Sequence, residues 1–244
     1  MTLPSALTRF ETDLFVPSYQ PMTIGDWTLR VGGHALIQGY WSPASLVSDF
    51  PVLMRHEETW MSITPLELQS QEIGIRLARG HVVILGLGLG WAAAATAMLP
   101  EVTRVTVVER DPDVIALHDA LDIFAQLPPE AREKVHIARS DALDYRPDVP
   151  VDLLMPDIWL WLVSDGRVDE VRRMQANMDA GAIYFWGQEL ELARHARAAG
   201  REIDAGGIAA TIADWDLPII GTDWLGYPAL VRQVADRWMH DRWF

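Results

Sequence analysis

The sequence predicts a doubly wound α/β domain, and three observations predict it. Between about residues 64 and 200, short and nearly continuous apolar runs alternate with amphipathic stretches of helical period. A glycine-rich turn joins the first of those runs to the next helix, and no low-complexity tract or internal repeat interrupts the alternation. Strands that are apolar without polar alternation are covered on both faces, as in a parallel sheet between two helix layers.

The elements follow in order. Residues 1–26 are rich in Pro, Ser and Thr without sustained periodicity and read as a surface arm. Trp27 to Val31 alternates, Gly32-Gly33 tolerates positive φ, and His34 to Tyr40 alternates again, which predicts a small hairpin with a two-residue turn. Thr64-Pro65-Leu66-Glu67 reads as a capping box with proline at the first helical position, opening a helix to about Arg79 that Gly80 closes. His81–Leu85, Val102–Val108, Val135–Ala138, Val151–Met155 and Ala182–Trp186 are expected strands. Trp91–Leu99, Pro112–Phe124, Asp165–Asp179 and Gln188–Ala199 are expected helices. Beyond Gly200 the pattern weakens until an amphipathic helix at Pro228–Trp243. This divides the chain into an arm and hairpin (1–63), the α/β domain (64–200) and a terminal extension (201–244).

Composition narrows the function. No cysteine among 244 residues excludes a disulfide scaffold, a thiolate metal site and a cysteine nucleophile. A net charge of -14 without a basic stripe argues against nucleic acid as a partner. The longest apolar stretch, Trp91 to Leu99, is under half a membrane span, and the amino terminus lacks a secretory pattern, so no membrane partner and a cytoplasmic location are expected. The seven histidines show no i, i+3 or i, i+4 pairing, so no metal site is expected.

In open α/β sheets, ligands bind beyond the carboxyl ends of the strands where the strand order reverses. The first such turn, Gly86-Leu87-Gly88-Leu89-Gly90, lets backbone approach a ligand closely, and the helix start after it offers free amides to an anion. The second strand ends at Glu109, whose carboxylate can accept two ribose hydroxyls. Asp111-Pro112 is accounted for as a helix cap. The third strand runs into Ser140-Asp141-Ala142, where Asp141 can accept from an adenine amine and the Ala142 amide can donate to the ring; an ordinary turn explains this segment equally well. Together the three turns outline one adenosyl ligand. Tryptophans 91, 159, 161 and 186 follow strand ends, where an aromatic wall could face a cation, Trp159 foremost.

With these residues, the stretch from about Thr64 to Gly200 resembles the class I S-adenosylmethionine-dependent methyltransferases, and within them the spermidine-synthase-like branch. The resemblance implies a Rossmann-like methyltransferase fold and S-adenosylmethionine as cofactor. It also implies Gly86, Gly88 and Gly90 as the cofactor loop, Glu109 as the ribose acid, and Asp141 with Ala142 on the adenine side. In Val151 to Asp157 it places Asp157 where aminopropyltransferases carry the acid that deprotonates an attacking amine. The chain departs from the family at Ile84, where many members carry an acid, and Glu57-Glu58-Thr59-Trp60 only faintly echoes the polyamine-side signature. The Asn/Asp-Pro-Pro-Tyr motif of nucleic-acid amine methyltransferases is missing.

The reading is therefore methyl transfer to a small-molecule acceptor by a chain that could form a homodimer, with aminopropyl transfer as an alternative. Two further alternatives stand. Gly88-Leu89-Gly90-Trp91-Ala92-Ala93 also satisfies the dinucleotide fingerprint, with Glu109 about 20 residues on, as in a nicotinamide-dependent oxidoreductase. A catalytically degenerate binding scaffold would keep the fold and lose transfer.

Overall fold

The computed structural model describes residues 8–239. Ahead of the first helix come β1 (Met22–Ile24), β2 (Trp27–Val31), β3 (His34–Ile37), β4 (Ser45–Ser48), β5 (Pro51–Arg55) and β6 (Glu58–Ser62). They form an antiparallel sheet in the order β1-β2-β5-β6 and a separate pair β3-β4. The expected hairpin turn at Gly32-Gly33 is corrected here. Val31 pairs with Pro51 and His34 with Ser48, while the Gly32 amide donates to the Phe50 carbonyl and the Asp49 amide to the Gly33 carbonyl, each at 2.9 Å. Residues 27–37 thus run as one arm kinked at the glycines, and the chain reverses over 38–44. Neither glycine has a positive φ. A Cβ on Gly32 would strike the Phe50 ring, so Gly32 makes room for an opposing side chain instead of turning the chain.

The α/β part runs through α1 (Pro65–Arg76), β7 (Gly80–Leu85), α2 (Trp91–Ala97), β8 (Val102–Glu109), α3 (Pro112–Leu121), α4 (Pro129–Arg132), β9 (Val135–Arg139), β10 (Leu153–Pro156), α5 (Arg167–Met178) and α6 (Gln188–Ala198). The last three strands to join β7 build a parallel sheet in the order β10-β7-β8-β9, flanked by helices. Val82 to Leu85, Val105, Val107, Val108, Leu153 and Leu154 are almost wholly buried, which is why these strands read as unbroken apolar runs. His81 opens β7 as a buried imidazole bonded to the Pro150 carbonyl at 2.8 Å and Thr106 Oγ1 at 2.9 Å, and its proton affinity is lowered chiefly by burial.

The expected fifth strand is reduced to a bridge of Ile183 with Leu154 and Ile219, although ladder-like bonds continue from Tyr184 to Leu154 and from Ile220 to Ile183. The turn-rich segment after Gly200 contains a helix, α7 (Ala205–Trp215). Its Gly206-Gly207 pair masked it in the sequence, but Asp204 caps it through the Gly207 amide at 2.8 Å, and Ile208, Thr211 and Trp215 are buried. The terminal helix is α8 (Tyr227–Trp238); its expected continuation to Trp243 lies outside the described residues. No helix among the described residues is long and apolar enough to cross a membrane.

The capping box before α1 is also corrected. Thr64 precedes the helix in extended conformation, but its hydroxyl bonds Ser62 Oγ at 2.9 Å and caps no amide. Glu67 is buried in the interior of the fold.

Candidate functional site

The chain lays down β7, β8 and β9 to one side and then crosses back to place β10 against the other edge of β7. The order reverses between β7 and β10, and ladder bonds bring the strand ends level there. The Gly86 amide donates to the Val108 carbonyl at 2.9 Å, the Ser140 amide to Glu109 at 3.0 Å and the Asp157 amide to Leu85 at 2.8 Å. Four turns thereby share one rim, bordering a cavity of about 270 Å³.

Gly86, Gly88, Glu109, Asp141, Ala142 and Asp157 all line this cavity. Gly86 has φ +104°, and a Cβ there would collide with the Asp157 carbonyl oxygen, so this residue lets β7 and β10 close on each other at the switch point. Gly90 is separate from the cavity. It is buried at the start of α2 with φ +71°, where a Cβ would strike His118 Nε2. His118 is itself buried, its ring 4.4 Å from that of Phe124, and burial lowers its pKa to about 4, so it packs as a neutral imidazole.

Glu109 Oε2 accepts from the Leu87 amide at 3.0 Å and Oε1 from the Asp111 amide at 2.8 Å, so one carboxylate ties the first two turns together. A carboxylate oxygen keeps a further lone pair after one bond, which leaves capacity for hydroxyl donors. Asp141 Oδ1 accepts from the Leu143 amide at 2.9 Å and Oδ2 from Arg110 at 3.2 Å; the amide first, with Arg110, holds this half-exposed carboxyl below the usual range.

Asp157 borders the cavity with only part of its surface accessible, and protein surrounds it otherwise. Desolvation raises its pKa to about 7 against the opposing pull of Arg167 and of the Gln71 amide, which donates to Oδ2 at 2.6 Å. Glu67, from α1, is raised well above the carboxylate range by burial first and by Asp157 second. The two acids and Gln71 line a small annexe behind the glycine turn.

The β1-β2-β5-β6 sheet supplies what the sequence reading missed. Trp27, Leu53, Arg55, Trp60 and Met61 add a further wall to the cavity, Met61 lying directly against the glycine turn, where its Sδ accepts from the Leu89 amide at 3.0 Å. Trp27 Nε1 donates to Asp111 Oδ2 at 2.9 Å, its ring meets that of Trp60 edge-on at 5.5 Å, and the Arg55 guanidinium stands 5.5 Å from the Trp27 ring. Glu67 and Gln71 were missed because a capping box accounted for Glu67, yet their i, i+4 spacing puts them on one helix face and was the available signal.

Of the four tryptophans proposed as an aromatic wall, Trp159 lines the cavity. Its Nε1 donates to Glu170 at 2.6 Å, and Arg167, itself fully buried, lies 4.4 Å from its ring. Trp91 is fully buried and bonds the Phe15 carbonyl at 3.0 Å; Trp186 is buried and bonds Ser70 Oγ at 2.9 Å; Trp161 is exposed to solvent. Among the described residues, no group of three or more His, Asp or Glu side chains is placed to hold a metal ion.

No family model matches this sequence, and no curated protein matches it either. Among solved structures, the methyltransferase domain of bacterial CtHen1-CN is similar at 17% identity and a TM-score of 0.39, covering 48% of this chain and 65% of that one. The DhpI-SAM-HEP complex matches at 21% identity and a TM-score of 0.36, covering 48% and 51%. The glycopeptide N-methyltransferase MtfA complexed with S-adenosyl-L-methionine matches at 16% identity and a TM-score of 0.35, covering 45% and 48%. The matched region thus spans about half to two thirds of each of these structures and just under half of this chain. The fold itself is a doubly wound α/β sheet with a cavity of about 270 Å³ at the switch point.

Proposed function

We propose that the chain binds S-adenosylmethionine across this rim and transfers its methyl group to a small-molecule acceptor. One observation carries the reading: the glycine turn, Glu109 and the Asp141-Ala142 turn, separated in sequence, border a single cavity. Glu109 would hold the ribose hydroxyls, Asp141 and the Ala142 amide the adenine, and the backbone at Gly86 and Gly88 the tail. When bound, the cofactor supplies a methyl carbon made electrophilic by positively charged sulfur.

The chain's own contribution is alignment and the handling of one proton. As the acceptor's lone pair forms the bond to the methyl carbon, the carbon–sulfur pair stays on sulfur, and Asp157, on the cavity wall, would take the proton the acceptor loses. A carboxylate with a pKa near 7 is matched to that task at neutral pH. Acids outnumber bases five to two around the cavity (Glu109, Asp111, Asp141, Asp157 and Glu170 against Arg55 and Arg110), which favours a neutral or cationic acceptor over a phosphate-bearing one.

The dinucleotide alternative needs Gly90 and Trp91 beside a pyrophosphate, whereas Gly90 is packed on His118 and Trp91 is buried. The test is calorimetric titration. S-adenosylhomocysteine should bind at micromolar level and NADH should not, and the reverse ranking would replace the methyltransferase reading with the oxidoreductase one.

A further inference from the structure

Met61 reaches the glycine turn because its strand is irregular. Along the β5-β6 pair, Leu53 faces Met61 and Met54 faces Thr59, so Trp60 is an extra residue bulged out of the ladder. Neighbouring side chains in a regular strand point to opposite faces, yet Trp60 and Met61 both line the main cavity. The bulge brings the two to one side, and the Met61 thioether ends on the turn.

There it takes the room and the bond that a ligand's tail needs. A Cβ on Gly88 would strike Met61 Sδ, so the space left by the missing side chain is filled by sulfur from β6. The Leu89 amide donates to the same sulfur at 3.0 Å. The Gly86, Leu87 and Gly90 amides are bonded instead to oxygen, on Val108, Glu109 and Leu87 respectively. Leu89 is thus spent on a thioether, a weak acceptor that a carboxylate oxygen outcompetes. Met61 is 9% exposed and borders both the main cavity and the annexe, as do Gly86, Gly88 and Asp157, so its side chain fills the space between the two voids. The annexe alone, at about 50 Å³, has room for a few waters and not for an amino-acid group.

We infer that Met61 is a displaceable plug at the tail end of the cofactor site and sets its selectivity between adenosyl compounds. The chain at rest offers room to the nucleoside, and a ligand with an amino-acid tail enters fully only when the thioether swings off the turn. The inference rests on the adenosyl reading of the cavity. The methylenes and sulfur of Met61 are the same groups that carry the amino acid in S-adenosylhomocysteine, so the chain supplies its own mimic of the tail. Displacing it costs the packing of a buried methionine and the Leu89 bond. That cost falls on tail-bearing ligands and spares 5′-methylthioadenosine, which ends at a methylated sulfur.

The experiment titrates the whole chain by calorimetry with S-adenosylhomocysteine and 5′-methylthioadenosine, as wild type, Met61→Ala and Met61→Val. Valine keeps a strand-forming residue at the position but ends short of the turn. In a folded variant the ratio of the two affinities should shift about tenfold or more towards S-adenosylhomocysteine, through tighter binding of that compound, with 5′-methylthioadenosine held within about threefold. A smaller shift, a comparable gain for both compounds from a merely larger cavity, or a shift that comes from weaker binding of 5′-methylthioadenosine overturns the inference and leaves the adenosyl reading standing. If neither variant folds, the wild type decides: a preference for S-adenosylhomocysteine below about tenfold supports the plug, and a larger one overturns it. Binding of S-adenosylhomocysteine to a variant when the wild type binds neither compound supports the plug in its strongest form. If no form of the chain binds either compound, the adenosyl reading falls and the plug falls with it.

Discussion

Replacing Asp157 by Asn removes one ionisable proton while keeping an oxygen for the Gln71 amide, which now donates to Asp157 Oδ2 at 2.6 Å. In the folded chain, desolvation holds the Asp157 pKa at about 7, against 3.8 for a free aspartate. The folded state therefore binds a proton that the unfolded chain has released, and wild-type stability falls as pH rises through the window from about 4 to 7. A gap of about three powers of ten in proton affinity, at about 1.4 kcal/mol each, puts the cost at about 4 kcal/mol above pH 7, less whatever water in the cavity screens. At pH 5.5 about half of that cost remains. Relief of the neighbouring Glu67, whose proton affinity Asp157 raises, acts in the same direction. Urea unfolding at pH 5.5 and 8.5 measures this. With a slope of about 3 kcal/mol per molar, Asp157→Asn should raise the midpoint by about 1 M at pH 8.5 and by about half that at pH 5.5. A variant that follows the wild-type midpoint at both pH values, or that is less stable at pH 8.5, would refute the account of a carboxylate kept short of solvent.

Gly86→Ala should lower stability by about 2–3 kcal/mol and abolish nucleoside binding, because φ +104° and the Asp157 carbonyl leave no place for a methyl group; urea midpoints and calorimetry check both effects. Glu109→Gln keeps the side chain's size, but its single oxygen can accept from only one of the Leu87 and Asp111 amides while its NH2 faces the other, and S-adenosylhomocysteine affinity should fall about tenfold to a hundredfold as the carboxylate proposed for the ribose is lost and the turn it ties is loosened. An unchanged dissociation constant would remove Glu109 from the ribose site. Trp27→Phe deletes the bond to Asp111 and should cost about 1 kcal/mol in urea unfolding while weakening nucleoside binding, since that bond clasps the N-terminal sheet onto the α3 cap. Gly90→Ala should destabilise the chain through the clash with His118, and any folded fraction should bind the nucleoside with wild-type affinity, because Gly90 lies off the cavity.

The amino-acid sequence by itself determined the sheet and its turns. Val82–Leu85, Val105, Val107, Val108 and Leu153-Leu154 supply apolar side chains to both faces of the sheet, so these strands had to lie between helix layers, and glycine spacing with an acid at the next strand end marked the rim where Gly86, Glu109 and Asp141 meet. Those signals are local in the chain, written in periods of two and about four residues. What only the tertiary structure decided is which distant side chains complete the cavity. Gly32-Gly33 carries the same dipeptide whether it turns a hairpin or admits the Phe50 ring, and Gly90 reads as a loop glycine until His118 is seen packed on it. Glu67 satisfies a capping pattern on paper, yet a hydroxyl pair between Ser62 and Thr64 leaves it free to point inward toward Asp157, 90 residues away in the chain. Burial and like-charge neighbours depend on what packs around a carboxylate in space, and no one-dimensional spacing encodes that.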